Sequence, residues 1–189
     1  QLKTMDSNSE NEQGTTFEKD GIIYSLNDTT KTASISGSNS LSGDIIIPRS
    51  VFYSDQEYII KIIDAEAFNK ANIRSIQFSE DSELEIIKKT AFSESKIESL
   101  TIPSSVTSLE DGWCHEMKYL TKVTIVPNNK YFKKLNDNLV VGRISEDSNE
   151  FDKIIFASRS ITNITIPSNI QNIGSCSFQY TKIQEILIP

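Results

Sequence analysis

The one histidine of the chain, His115, follows Trp113 and Cys114 directly. A cysteine beside an imidazole can become a thiolate nucleophile, provided a scaffold holds the two groups to share a proton. Here they are neighbours along the backbone, and Cys114 stands where other stretches of the chain carry a phenylalanine (Phe68, Phe92, Phe178). The spacing therefore predicts a buried thiol behaving as a small apolar group. Cys176, two residues before Phe178, aligns with Glu66, Thr90 and Gly112, which predicts a position near the surface and no disulfide to Cys114. Two cysteines without C-x-x-C spacing make neither a zinc site nor a disulfide framework.

Carboxylates gather in EDSELE (80–85) and SEDSNE (145–150), without the alternating spacing of a calcium loop, so they read as solvated acidic faces. The sequence holds no glycine-rich phosphate loop, Walker motif, G-x-S-x-G or metal-ligating helix pattern. No catalytic residue, cofactor or metal is expected. Two N-x-[ST] sequons, Asn27-Asp28-Thr29 and Asn163-Ile164-Thr165, could carry glycans if the chain passes through a eukaryotic secretory pathway.

What would position these groups is a repeat. IRSIQF (73–78), IESLTIP (97–103), LTKVTIVP (120–127), ITNITIP (161–167) and IQEILIP (183–189) all fit apolar-x-x-apolar-x-apolar, and IIIP (45–48) is a truncated relative. A second pattern, apolar-x-x-apolar-x-x-x-x-Phe, precedes the strands: Ile60, Ile63, Phe68; Leu84, Ile87, Phe92; Val106, Leu109, Cys114; Ile170, Ile173, Phe178. The unit is about 23–24 residues long. Period-2 alternation turns each strand's apolar residues to one side, and the second pattern crosses back over that side. One such coil supplies five or six core residues at about 1.5–3 kcal/mol each, too little to order two dozen residues alone. Stacking closes the core.

Two stretches depart from the period. Residues 21–36, GIIYSLNDTTKTASIS, alternate on both sides of Asn27–Thr30 and predict a β-hairpin. Between Pro127 and Ile161 an insertion carries NLVVGRI (138–144), a polar turn and FDKIIF (151–156), a second hairpin of similar plan. It reads as a tolerated edge insertion or as a protruding recognition element. The organisation expected is a flexible polar tail over 1–16, a hairpin cap over 17–44, and an α/β-type or mainly-β solenoid over 45–189 with its hairpin insert at about 128–160.

Composition narrows the partners. A net charge of −7 argues against a nucleic-acid surface and an anionic membrane surface. No segment approaches the 18 apolar residues of a membrane span. Pro189 falls in the middle of the repeat pattern and would leave an open strand edge, so the native array is expected to continue.

The strings IESLTIPSSVTSL, ITNITIPSNIQNIGSCSF and DAEAF resemble the BspA-like, or Treponema pallidum-type, leucine-rich repeat family over about Ile45 to Pro189. Trp113-Cys114 in place of Ala-Phe, and Lys88-Lys89 in place of Gly-Ser, depart from its consensus without altering the period. The resemblance implies a curved right-handed solenoid with a parallel sheet. It also implies a non-enzymatic, cell-surface or secreted module that adheres to host cells or matrix proteins, as members in mucosal bacteria, Trichomonas and Entamoeba do. The strand residues alternating with buried ones then form the candidate protein-binding face: Ser75, Gln77, Ser99, Thr101, Lys122, Thr124, Asn163, Thr165 and Glu185, with Leu187 beside them. Alternative readings are a spacer projecting another domain and, more remotely, an enzyme on a solenoid scaffold.

Overall fold

The computed structural model describes residues 14–145 and 147–188. Most of the polar tail, residues 1–13, and Pro189 lie outside them. The described residues are all strand, turn and bend. In chain order the strands are β1 (Thr16–Lys19), β2 (Ile22–Asn27), β3 (Thr32–Ser38), β4 (Ser42–Ile47), β5 (Ser50–Tyr53), β6 (Gln56–Ile63), β7 (Asn72–Phe78), β8 (Ile86–Ile87) and β9 (Ser99–Ile102). They continue as β10 (Ser108–Leu109), β11 (Lys122–Ile125), β12 (Phe132–Asn136), β13 (Leu139–Gly142), β14 (Lys153–Ala157), β15 (Asn163–Thr165), β16 (Asn172–Ile173) and β17 (Glu185–Leu187).

Each repeat contributes two strands, one from each sequence pattern. The first set stacks parallel in the order β11-β9-β7-β4, and the second continues β3-β6-β8-β10, also parallel. Between them lie the predicted core residues: Ile73, Ile76, Phe68, Phe92, Ile97, Leu100, Ile102, Val106, Cys114 and Leu120 are all buried. Phe68 and Phe92 stack with ring centroids 5.6 Å apart.

The turns joining the two strand sets stack as well. Phe68 N–H donates to Ala91 O (2.8 Å), Lys70 N–H to Ser93 O (2.9 Å) and Thr90 N–H to Gly112 O (3.3 Å). Each turn holds two left-handed residues four apart: Glu66 and Lys70, Thr90 and Glu94, Gly112 and Glu116, Cys176 and Tyr180, with φ between 55° and 84°. Only one of the eight is glycine, so a conformation costing about 1–2 kcal/mol in other residues is held by the stack and not by local residue choice.

At the N-terminal end, β2 and β3 pair antiparallel around Asn27, whose Oδ1 accepts from the backbone N–H groups of Thr29 and Thr30 (both 3.0 Å). This is an Asx turn. Strand β1 adds to β2, so Thr16, assigned to the tail by composition, is paired. A third hairpin, β5–β6, turns on Ser54 and Asp55, both at positive φ (48° and 63°), the geometry of a primed turn that suits strand twist. It lies outside the repeat pattern, although the β-prone runs VFY and EYII flank the Ser-Asp pair.

The insertion neither hangs on an edge nor protrudes, which corrects both readings of it. Strands β12, β13 and β14 form an antiparallel meander, and β14 pairs parallel with β16. Every residue of β13 is buried, as are Ile154 to Ala157 of β14. Their side chains feed two separate cores. Val140, Ile155 and Phe156 join the large one, while Leu139, Val141, Ile154 and Ala157 join the smaller core of Ile161, Ile164 and Ile166. The hairpin is a wall between two cores. Continuous apolar runs such as LVV and IIFA are the pattern of strands covered on both faces.

Candidate binding face

The strands β7, β9 and β11 place the outward residues of the repeat in register: Ser75 opposite Ser99, Ser99 opposite Lys122, and Thr101 opposite Thr124. Gln77, Lys122 and Thr124 are exposed, and Ser99 and Thr101 half-buried. Ser75 is a correction. It is buried, because a bulge at Arg74 brings Asp44 of β4 opposite it, and Ser75 Oγ donates to Asp44 Oδ1 (2.7 Å). Arg74 also donates to Asp44, through Nε (3.0 Å) and Nη2. The guanidinium first, and the Ser75 hydroxyl second, hold the Asp44 carboxyl down to about 2. At this end the exposed groups are therefore the Asp44–Arg74 pair, Gln77 and Ile46, an aliphatic side chain open to solvent.

The face is not one continuous sheet. β15 and β17 form a separate two-stranded sheet, with Asn163 opposite Glu185 and Thr165 opposite Leu187. All four side chains are exposed. The break has a countable cause. Ten residues separate Ile63 from Ile73, Ile87 from Ile97 and Ile173 from Ile183, and eleven separate Leu109 from Leu120. From Ile154, in register with Ile173, to Ile161 there are only seven. The level supplied by the insertion has a strand on each side but no full turn.

Arg159 occupies the place of that turn. Its side chain is buried and donates to the carbonyls of Met117 (3.3 Å), Ala157 (3.2 Å), Ser177 (2.8 Å), Cys114 (3.3 Å) and Cys176 (3.3 Å). The guanidinium also lies over the Phe156 ring. Burial weakens its hold on its proton, but an arginine remains charged, and five carbonyls share that charge. The turns on either side are drawn together across it. Asp111 accepts from the Ser175 backbone N–H (3.0 Å) and hydroxyl, and Gln179 bridges the backbone and carboxylate of Glu116.

This also revises the cysteine geometry. Both are free, yet Cys114 Sγ lies 3.5 Å from the Cys176 carbonyl, so the insertion brings their coils together where the sequence had set them apart. Burial pushes the Cys114 thiol up to about 11, which keeps it neutral and unreactive. His115 Nε2 faces Glu116 at 3.8 Å, and Cys114 points the other way, at Ile155 O and Cys176 O. The two do not form a nucleophile–base pair. The acidic run 80–85 is tied into cross-coil ion pairs, Glu83 with Arg49 and Lys61, Glu85 with Lys61. Among the described residues no helix is long and apolar enough to cross a membrane.

Parallel strand stacking, a two-dozen-residue period and aliphatic positions closing each strand define a mainly-β leucine-rich repeat protein. The chain belongs to the BspA-type leucine-rich repeat region family, whose model matches it in six copies over residues 45–139 and 134–189. No curated protein matches it. Among solved structures it is similar to the pneumococcal vaccine antigen PcpA (14% identity, TM-score 0.52, 93% of this chain and 64% of that one). A leucine-rich repeat protein from Bacteroides ovatus is similar at 20% identity and a TM-score of 0.56, over 92% of this chain and 41% of that one. The T. pallidum leucine-rich repeat protein matches at 12% identity and a TM-score of 0.56, over 91% and 71%. These likenesses show the fold. The chain spans less than two thirds of the first two.

Proposed function

We propose that this chain is a protein-binding module of a cell-surface or secreted protein, and that its outward strand face engages an extended protein partner, a host surface or matrix protein. The observation that carries this reading is the ladder of exposed polar side chains in register on β7, β9 and β11, resumed on β15 and β17. The backbone groups of β7 and β9 are paired on both sides within the sheet, so their side chains are what can select a partner. In this reading the stack is a curved, right-handed solenoid, the N-terminal hairpin over 17–44 caps it, and Ser75 serves the face only by fixing Asp44. Asn27, at an exposed turn with its Oδ1 engaged and its Nδ2 available, is the better placed of the two sequons. A glycan on Asn163 would cover the face.

The test is surface plasmon resonance of the chain against fibronectin, fibrinogen and whole host-cell membranes. The double substitution Lys122→Glu, Thr124→Glu should weaken binding at least tenfold, about 1.4 kcal/mol. Binding left unchanged by it for every ligand that binds would remove the face from consideration.

A further inference from the structure

The shortened turn leaves a cleft of about 330 Å³ between the turn of the third coil and that of the last. Its floor is Arg159, and its walls carry Lys118 and Tyr119 on one side, Tyr180 and Lys182 on the other, with Glu98 at the rim. We propose that this notch receives an acidic side chain, Asp or Glu, from an extended segment of the partner protein. The proposal deepens the binding-module reading and rests on it.

Charge and shape both point this way. Three cationic side chains line the notch against the carboxylate of Glu98, with that of Glu116 behind the Tyr180 hydroxyl, in a chain whose net charge is −7. Among the described residues neither lysine is in a salt bridge; Lys118 Nζ lies over the Tyr119 ring, 5.0 Å from its centroid, and acts on the Glu116 carboxylate only from beyond ion-pair distance. Arg159 spends its five donors on carbonyls and faces no carboxylate, so its charge adds to the potential of the cleft without offering a competing ligand. Tyr180 is held by its hydroxyl, which donates to Glu116, and its ring and that of Tyr119 are open to solvent on opposite walls. Two exposed rings with ammonium groups beside them suit a carboxylate on a short apolar stem. The volume admits one or two side chains and no folded element. The notch also borders the face directly, since Thr121 of its lining precedes Lys122.

The experiment is a nitrogen-15 NMR titration of the whole chain with a peptide of sequence Gly-Phe-Glu-Glu-Phe-Gly, with its glutamine counterpart, and with N-acetylneuraminic acid. The expected result is saturable shifts at Lys118, Tyr119 and Lys182 with the glutamate peptide, at least tenfold weaker with the glutamine peptide, and absent in Lys118→Glu, Lys182→Glu. Both lysines are exposed, so that variant should keep the native spectrum elsewhere. Equal binding of both peptides, shifts confined to other surfaces, or saturation only by the sugar acid overturns the proposal. A partner protein whose binding falls with the Lys122/Thr124 substitution but not with the Lys118/Lys182 substitution overturns the notch and leaves the module reading standing.

Discussion

Two hairpins of similar sequence plan do opposite work in this molecule. In the N-terminal pair, β2 and β3, buried and half-buried residues alternate: Ile22, Tyr24, Leu26, Ala33 and Ile35 face the core and their neighbours face outward. In the inserted pair, β13 and β14, burial is continuous. The first pairs with β6 and buries one face on the large core, and the second has a core on each face. Hairpin signals in a sequence announce pairing. The period of the apolar residues announces how many sides are covered.

Parity is the sharpest way to break that comparison. In the inserted hairpin, Val140→Lys and Val141→Lys should both be severe, since each buries an unpaired charge in a different core, at a cost of about 5 kcal/mol or more. In the N-terminal hairpin only Tyr24→Lys should be severe, and Ser25→Lys should stay within about 0.5 kcal/mol. Urea midpoints of the four variants decide it. A mild Val140→Lys would mean the wall has a solvent side.

Arg159→Ala tests whether a side chain replaces a turn. Removing it takes a second donor from carbonyls on two coils, which keep their backbone partners, and leaves a cavity between them, so the expected loss is about 2–5 kcal/mol in thermal unfolding. A loss below about 1 kcal/mol would show the coils hold together without it. Next in size is Gly142→Ala. A Cβ there would meet Phe132 Cδ1 at 3.0 Å and Ile155 Cγ2 at 3.3 Å, so the substitution should cost about 1–3 kcal/mol.

The smallest effect belongs to the N-terminal turn. The Tyr58 hydroxyl first, then Lys31, holds the Asp28 carboxyl below its ordinary value. A native value below the unfolded one means the contact is fully stabilising above about pH 4 and is lost as pH falls through the native value. NMR shifts of Tyr58 should move as pH is lowered from 5 to 2 in the native chain and stay flat in Asp28→Asn.

Much of this was legible beforehand. The apolar-x-x-apolar-x-apolar strings placed Ile73, Ile97, Leu120 and Ile161 in the core, and the Phe position explained Cys114. What the pattern could not show lies in relations between segments. Ser75 looks outward by alternation, and only the pairing with Asp44 covers it. Glu66, Thr90 and Cys176 share a left-handed backbone that no residue type signals, because neighbouring turns impose it. The wall was written in LVV and IIFA, whose continuous runs differ from the alternation of 22–35. The notch needed the register of Ile154 with Ile173 before the missing three residues could be counted.

The break between β11 and β15 has a mechanical consequence. Among the described residues no strand ladder crosses it; Arg159, the packing of Val140, Ile155 and Phe156 into the large core, and a few hydrogen bonds span it, among them Ser158 Oγ to Thr121 O (2.8 Å). A chain pulled from both ends would load those links and that packing before any ladder of the four-stranded sheet. The array would then yield in two stages, parting first at the inserted level, so that the repeat with the shortest turn sets the force at which the molecule lengthens.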